Sequence, residues 1–484
     1  MRSDGLRRQH LSRRGMLAAL GLAGGLSLTG GPGGILRATA ATRADVAGSM
    51  PSASAAAEEI KTEFLHAWNG YKQFAWGHDE VHPLSGTYSE FFVPGQPIGL
   101  SIIEALDTLY VMELDQELAA GVQWIEGNLS FDIDGDFHVF EAIIRVVGGL
   151  LAGYLATGSH SLLALTVDIT DRLMPAFAKS PTGMPYQYVN LRTGEVSGNT
   201  PPLAEIGTNI LEFGLLSRLT GDRKYYDAAK TAYRAAIAKR SSINLMATSL
   251  NVETGQWADT TDQAPNPPSD SFYEYLWGGW ALLGDRQCRD WFVMLNDALT
   301  TYASETYDGN VWYKQVDFQT GALVGRNQSE LASFYAEVLG HAGDLPLGAA
   351  YYRSWTAVLD KFPVLPEEID YTTITATSKG NQFRPEYANA SFDLYFQTMD
   401  PYYASTAYQY FQGMKANART ANGYTVLDDV TTTPMQQGDL FPAYGFAENF
   451  KYLYLIFGGS PRFNSKNFYL STEGKILRGL LPAR

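Results

Sequence analysis

Apolar residues recur at three- and four-residue spacing through 102–114, 140–155, 203–219, 272–283, 331–339, 387–396 and 446–457. That period gathers them on one helical face, so seven helices are predicted. Clusters of Gly, Pro, Asn, Asp and Thr separate the runs, and few stretches alternate as strands do. Short β-hairpins are expected near 186–196 and 311–324. The pattern predicts an all-α fold with small β excursions.

Acidic residues interrupt these apolar runs, where a solvated charge has no default place. Glu141 lies in FHVFEAIIRVVGGLL, one turn before Arg145, and Glu205 and Glu212 share a face of PPLAEIGTNILEFGLL. Asp270 and Glu274 share a face of SDSFYEYLWGGW, while Glu330 and Glu386 open QSELASFYAEVL and the helix after FRPE. Glu448 lies in AYGFAENFKYLYLIF. From Glu141 the steps to Glu205, Asp270, Glu330, Glu386 and Glu448 are 64, 65, 60, 56 and 62 residues. Counting back by a similar step reaches the pair Asp79 and Glu80. A repeat of that length suits two helices with their loops. Seven such hairpins closed into a ring would aim one acid per repeat at a common axis. Taken singly, each acid has a plainer use: Asp270 as a helix cap, Glu141 as an i,i+4 partner of Arg145. Taken together with Trp, Tyr and Phe they make a polyol-binding environment, in which carboxylates accept hydroxyls and rings face the sugar. The same set holds the paired acids that glycoside hydrolysis needs.

Composition narrows the classes. The chain has 484 residues, 45% hydrophobic and only 18% charged, enough to bury a large core. Its net charge is −15, yet the first 40 residues carry six Arg against one Asp, so the remainder carries −20. Such a body repels phosphate backbones, and nucleic acid is not expected as a partner. Cys288 is the single cysteine, which excludes an intramolecular disulfide framework. Histidines are sparse; His78 and His82 are the close pair, and Pro83 disfavours the helix that would aim both at one metal. Ser12-Arg13-Arg14-Gly15-Met16-Leu17, an apolar run to about Leu28 and Ala38-Thr39-Ala40 read as a twin-arginine signal over 1–40. An Ala/Ser/Gly linker is expected over 41–57 and one catalytic domain over 58–484. Export to a periplasmic or extracellular location follows, with no later membrane span expected and a monomer as the expected state.

The order of several words identifies the chain as resembling the class I α-mannosidases, glycoside hydrolase family 47. HAWNGYKQFAWGHDE at 66–80, IGLSIIEALDTLYVM at 98–112, FEAIIRVVGGLLAGY at 140–154 and PTGMPYQYVNL at 181–191 come first. LAEIGTNILEFGLLSRLTGD at 203–222, DSFYEYL at 270–276, FRPE at 383–386, NGYTVLDDVT at 422–431, AENFKYLYLIF at 447–457 and STE at 471–473 follow in the family's order. The resemblance implies an (α/α)7 barrel of seven helical hairpins. It implies removal of terminal α-1,2-linked mannose from oligosaccharides or glycans, with inversion and with one Ca2+. Glu141 matches the family's general acid, Glu386 its general base, and Asp270 a third essential carboxylate. Thr472 matches the residue that binds calcium through its carbonyl and hydroxyl oxygens. Arg145, Glu205 and Arg384 match substrate contacts, Glu448 and Glu473 match acids beside the ion and its waters, and Tyr444 stands at the aromatic platform under the mannose.

The chain also departs from that pattern. Asn389 stands where the family has a second Glu, and Glu473-Gly474-Lys475-Ile476 replaces Glu-Ala-His-Pro after the calcium threonine. Ala443-Tyr444-Gly445 replaces a Ser-Phe-Phe-like stretch, and Glu104 stands where Asp is usual. These changes bear on calcium affinity and on the outer sugar subsites. Two other readings stay open on sequence alone: a mannose-binding, lectin-like relative without turnover, and a different (α/α) barrel hydrolase.

Overall fold

The computed structural model describes residues 50–483. The expected signal at 1–40, and 41–49 of the expected linker, lie outside the described residues. Within the rest of that linker, 53–57 is helical. The Ser52 hydroxyl accepts the Ala55 N–H at 3.3 Å and starts helix α1 (Ala53–Phe74), with Ala56 and Ala57 buried. Alanine is the strongest helix former, so a stretch that looks like linker by composition winds up once it has a surface to pack on.

Seven pairs of helices follow one another. Helix α1 leads to α2 (Leu100–Val111), then α3 (Asp115–Asn128), α4 (Val139–Thr157) and α5 (His160–Leu173). Next come α6, in two pieces Leu203–Gly207 and Ile210–Thr220, α7 (Lys224–Ile237), α8 (Asp270–Ala281) and α9 (Arg286–Tyr302). Helix α10 starts as a tight turn, Glu330–Phe334, and continues through Tyr335–His341. It is followed by α11 (Leu345–Lys361), α12 (Glu386–Thr398), α13 (Pro401–Ala418) and α14, in two pieces Tyr444–Ala447 and Asn449–Gly458.

The even-numbered helices form an inner ring in chain order, closed by α14 packing on α2, and the odd-numbered ones pack outside them. This is an (α/α)7 barrel. All seven apolar runs of the sequence are inner helices. Inner helices are buried on nearly every side; every residue of α2 is buried. Outer helices such as α7 bury one stripe and present Lys and Arg to water. Helix α4 is long and apolar enough to cross a membrane, contrary to the expectation that no such run follows the signal. It is 72% buried inside the protein and serves as a wall of the ring. Gly149 lets α4 approach α2 closely, since a Cβ there would sit 2.8 Å from the Ile103 carbonyl oxygen. The closing seam is polar. Lys451 on α14 donates to both carboxylate oxygens of Asp107 on α2, at 2.9 and 2.8 Å, with both residues fully buried.

The strands are short antiparallel pairs and triplets in the connections. Tyr188–Asn190 pairs with Val196–Ser197 as expected. The segment near 311–324 splits between two partners: Asn310–Tyr313 turns back on Ser304–Tyr307, and Gln315–Asp317 pairs with Leu323–Gly325. The last hairpin, Tyr469–Leu470 with Ile476–Arg478, enters the ring. Its Ile476 N–H donates to Asp107 at 2.8 Å, and its Thr472 N–H reaches the Tyr275 hydroxyl of α8 at 3.4 Å. Its turn needs Gly474, which has φ +67° and leaves no room for a Cβ against the Tyr452 hydroxyl. The turn thereby floors the ring from within.

Candidate active site

Five inner helices carry an acid at or near their first residue. Glu141 is the third residue of α4, Glu205 the third of α6, and Asp270, Glu330 and Glu386 open α8, α10 and α12. A helix N-terminus carries about half a positive charge, so anionic side chains are favoured there. Above the floor lies a cavity of about 230 Å³. Glu141 and Arg145 of α4, Glu205 of α6 and Asp270 of α8 line one arc of it. Arg384, Glu386, Tyr444 and Glu448 line the other, and Thr472 and Glu473 come up from the floor. Every residue named from the sequence as a site residue is therefore brought to one chamber.

Arg145 organises the near wall. It lies in a widened, π-helical turn of α4, Ala142–Val147, a distortion common at functional sites. Its Nε donates to Glu141 at 2.6 Å, and its Nη1 lies 3.2 Å from Glu104 and 3.4 Å from Glu473. Burial works against the guanidinium, but Glu473, Glu141 and Glu104 together hold it firmly charged. The Tyr444 ring sits 5.1 Å from the guanidinium carbon, and the Tyr444 hydroxyl donates to the Gln382 carbonyl. On the far wall the Arg384 Nε bonds both oxygens of Glu367, at 3.2 and 3.1 Å. Glu205 accepts from Gln187 at 3.2 Å and faces the His138 ring, also at 3.2 Å. Burial works against a charge on His138, but Glu205 raises its pKa overall.

The cavity holds its acids reluctantly. Burial pushes Asp270 up to about 6, opposed by the Ser271 N–H and by Arg384. Burial pushes Glu386 up to about 8, opposed by Arg384 and reinforced by Glu367 and Asp270. Glu473 rises to about 7 by burial against the pull of Arg145, and burial beside Glu473 lifts Glu448 well above the usual carboxylate range. Oε2 of Glu386 is buried here without a hydrogen-bond partner, and Oε2 of Glu473 meets only the Arg145 Nη1, at 3.4 Å. The Thr472 hydroxyl lies beside Glu274, and a narrow recess joins Thr472, Glu448, Asn389 and Glu386. An unpaired oxygen, clustered negative charge and no nitrogen donor together fit a hard dication.

Several contributors were missed or misplaced by sequence reasoning. Asp79 and Glu80 are not the seventh ring position; Glu80 begins a strand, Glu80–His82, and the seventh inner helix carries Glu104 instead. Glu80 still reaches the site from outside the ring: it is buried, near Arg145, and pushed up to about 7 by burial. Glu330 stands behind Glu386, bonded to Asn381 at 2.8 Å. Glu212 is cut off from Glu205 by the break in α6 and accepts the Tyr275 hydroxyl at 2.7 Å. Lys475, noticed only as a departure, is wholly buried and paired with Glu104. Glu367 carried no signal, since a glutamate in a loop looks like any solvated acid. His78 and His82 turn to Glu90 and Ser89, at 2.7 and 3.0 Å, and share no ligand position.

Known proteins agree with this architecture. Residues 63–479 match Glycosyl hydrolase family 47. An alpha-mannosidase I of Arabidopsis thaliana is 33% identical over 446 residues, covering 86% of this chain and 76% of its own length. The mannosyl-oligosaccharide 1,2-alpha-mannosidase IB of Homo sapiens is 31% identical over 455 residues, covering 87% and 69%. The solved alpha-1,2-mannosidase from Trichoderma reesei superposes with a TM-score of 0.80 at 23% identity, covering 88% of this chain and 99% of that one, which speaks to the fold. With the match spanning nearly the whole ring, the chain belongs to glycosyl hydrolase family 47.

Proposed function

We propose that this protein is an exported glycosidase that removes terminal α-1,2-linked mannose from oligosaccharides, with inversion and with the help of one calcium ion. The observation that carries the reading is the placement of Glu141 and Glu386 on α4 and α12, on opposite arcs of one cavity, with Asp270 between them on α8. Inverting hydrolysis requires an acid and a base on opposite faces of the sugar, with room for water beside the base. The family and the names of its relatives supply the substrate class.

Glu386, in its ionised form, takes a proton from the attacking water; its unpaired Oε2 is the free acceptor for it. Glu141 gives a proton to the leaving oxygen. Asp270, lifted to about 6 by burial, stands between them as the third carboxylate. Tyr444 offers its ring to the sugar face, and Arg384 and Glu205 fix hydroxyls further out. Thr472 would hold the calcium ion, with Glu448 and Glu473 accepting from its waters; bound there, the ion would polarise and position sugar hydroxyls.

The test is mannose release from an α-1,2-linked mannobiose, with calcium, after chelation, and with calcium restored. Hydrolysis that gives β-mannose first, stops on chelation and returns with calcium is expected. Binding of the disaccharide without hydrolysis at any calcium level would replace this reading with the lectin-like one.

A further inference from the structure

Beneath the floor of the sugar cavity lies a second polar chamber, of about 20 Å³. That is room for a single water or ion. It is bounded by Glu274 of α8, Glu337 and His341 of α10, Asn389 and Asp393 of α12, and Ser471 of the last hairpin. No Lys or Arg lines it. Glu337 and His341 are one turn apart and share a face of α10, and α10 packs directly on α12. The His341 Nε2 lies 2.9 Å from Asp393 Oδ1 and 3.4 Å from Glu337 Oε2. One ligand atom from each of the three falls within 4.8 Å of the others.

The geometry points to a second metal site: we propose that Glu337, His341 and Asp393, with Glu274 as the fourth ligand, bind one first-row divalent ion such as zinc or manganese. Bonds of about 2.0–2.2 Å put the ligand atoms of a tetrahedral ion roughly 3.3–3.6 Å apart. The two His341 separations need to change by only about half an ångström; Glu337 and Asp393 close in from within 4.8 Å, and Glu274 joins them from the chamber wall. An independent observation points the same way. Glu274 is 4% exposed, lines this chamber, and its Oε2 has no hydrogen-bond partner. A histidine–carboxylate pair alone would leave that oxygen uncompensated; burial holds Glu337 well above the usual carboxylate range, with Asp393 and Glu274 adding to the effect. An imidazole among carboxylates favours first-row transition ions over calcium. His341 is 31% exposed, which gives an ion a way in from solvent. The bound ion would clamp α8, α10 and α12 under the hairpin that carries Thr472.

The experiment counts metal and does not read turnover, so it stands apart from the mannosidase reading. The full-length protein is stripped with a chelator and dialysed against zinc in the presence of saturating calcium. Bound zinc is then measured by mass spectrometry, for the wild type and for His341→Ala, His341→Gln and Asp393→Asn, each checked for native circular dichroism. The wild type should retain one equivalent of zinc. Each variant should lose it, with affinity reduced roughly 100-fold. His341→Gln keeps a hydrogen bond to Asp393 and tests the site without a gap in packing. Manganese should give a bound-ion electron paramagnetic resonance signal that zinc displaces. A wild type that retains no zinc, or folded variants that retain as much as the wild type, would overturn the site.

Discussion

Arg145 answers three carboxylates at once, and the cavity still holds more negative charge than it can neutralise. Glu386 at about 8 and Glu473 at about 7 keep protons that they would lose in water near pH 4.5. A carboxyl whose pKa is raised by folding binds more protons in the folded state than in the unfolded one. Stability therefore falls as pH rises from the ordinary carboxylate range through about 7 and 8. Calcium reverses this by favouring the ionised oxygens. The metal-free protein should accordingly lose melting temperature between pH 6 and pH 8.5. Added calcium should raise the melting temperature most at pH 8.5 and least at pH 6, and calorimetry should record protons released on binding. A calcium-induced shift of equal size at both pH values would show that these acids do not face the ion. Glu386→Gln removes the proton acceptor while keeping shape. It should lower kcat by at least about a hundredfold and leave mannose binding nearly unchanged, as read by calorimetry. Wild-type turnover in that variant would take Glu386 out of the mechanism.

Among the elements, the inner helices were the legible ones. Their runs are so apolar that each isolated acid stands out, which points Glu141, Glu205, Asp270, Glu386 and Glu448 at one axis from the sequence alone. The repeat count failed at its first member for a structural reason. Most repeats carry a long connection with strands between an outer helix and the next inner one, as between Leu173 of α5 and Leu203 of α6, whereas α3 ends at Asn128 and α4 begins at Val139. A step of about 60 residues therefore overshoots Glu104 and lands on Asp79. Glu367 and His138 were invisible for a different reason: loop and strand residues acquire a partner only through tertiary contact. The same holds for His341 with Asp393, 52 residues away. The seam between α14 and α2 is likewise a tertiary fact, and it carries a measurable load. Lys451→Met would leave Asp107 buried with the Ile476 N–H but without its cation. Removing one partner of a buried pair costs about 3–5 kcal/mol. Urea unfolding of Lys451→Met should show a loss of that size, partly recovered in Lys451→Met with Asp107→Leu. A loss below about 1 kcal/mol would mean that the apolar packing of α14 on α2 closes the ring by itself.

At the scale of the whole chain, the N-terminal arginines and the lone cysteine bear on one another. We propose that Ser12-Arg13-Arg14 with the apolar run behind it directs twin-arginine export, a route read by a receptor and suited to proteins that fold before they cross. The domain is consistent with that order of events. Cys288 is buried and unpaired, so folding calls for no oxidation and can finish in a reducing compartment. The ring is closed by α14 against α2 and floored by residues 469–478, so it joins segments far apart in the chain. The barrel therefore closes only once α14 has met α2, an order of events that suits transport after folding. Replacing Arg13 and Arg14 together by Lys keeps the charge but removes the guanidinium pair that the receptor reads. That variant should accumulate, folded, in the cytoplasm of a host with the twin-arginine pathway, while the wild type appears outside it, as followed by fractionation and immunoblotting. Equal export of both forms, or export of the wild type in a host lacking that pathway, would assign the segment to another route and remove the requirement that the ring close before transport.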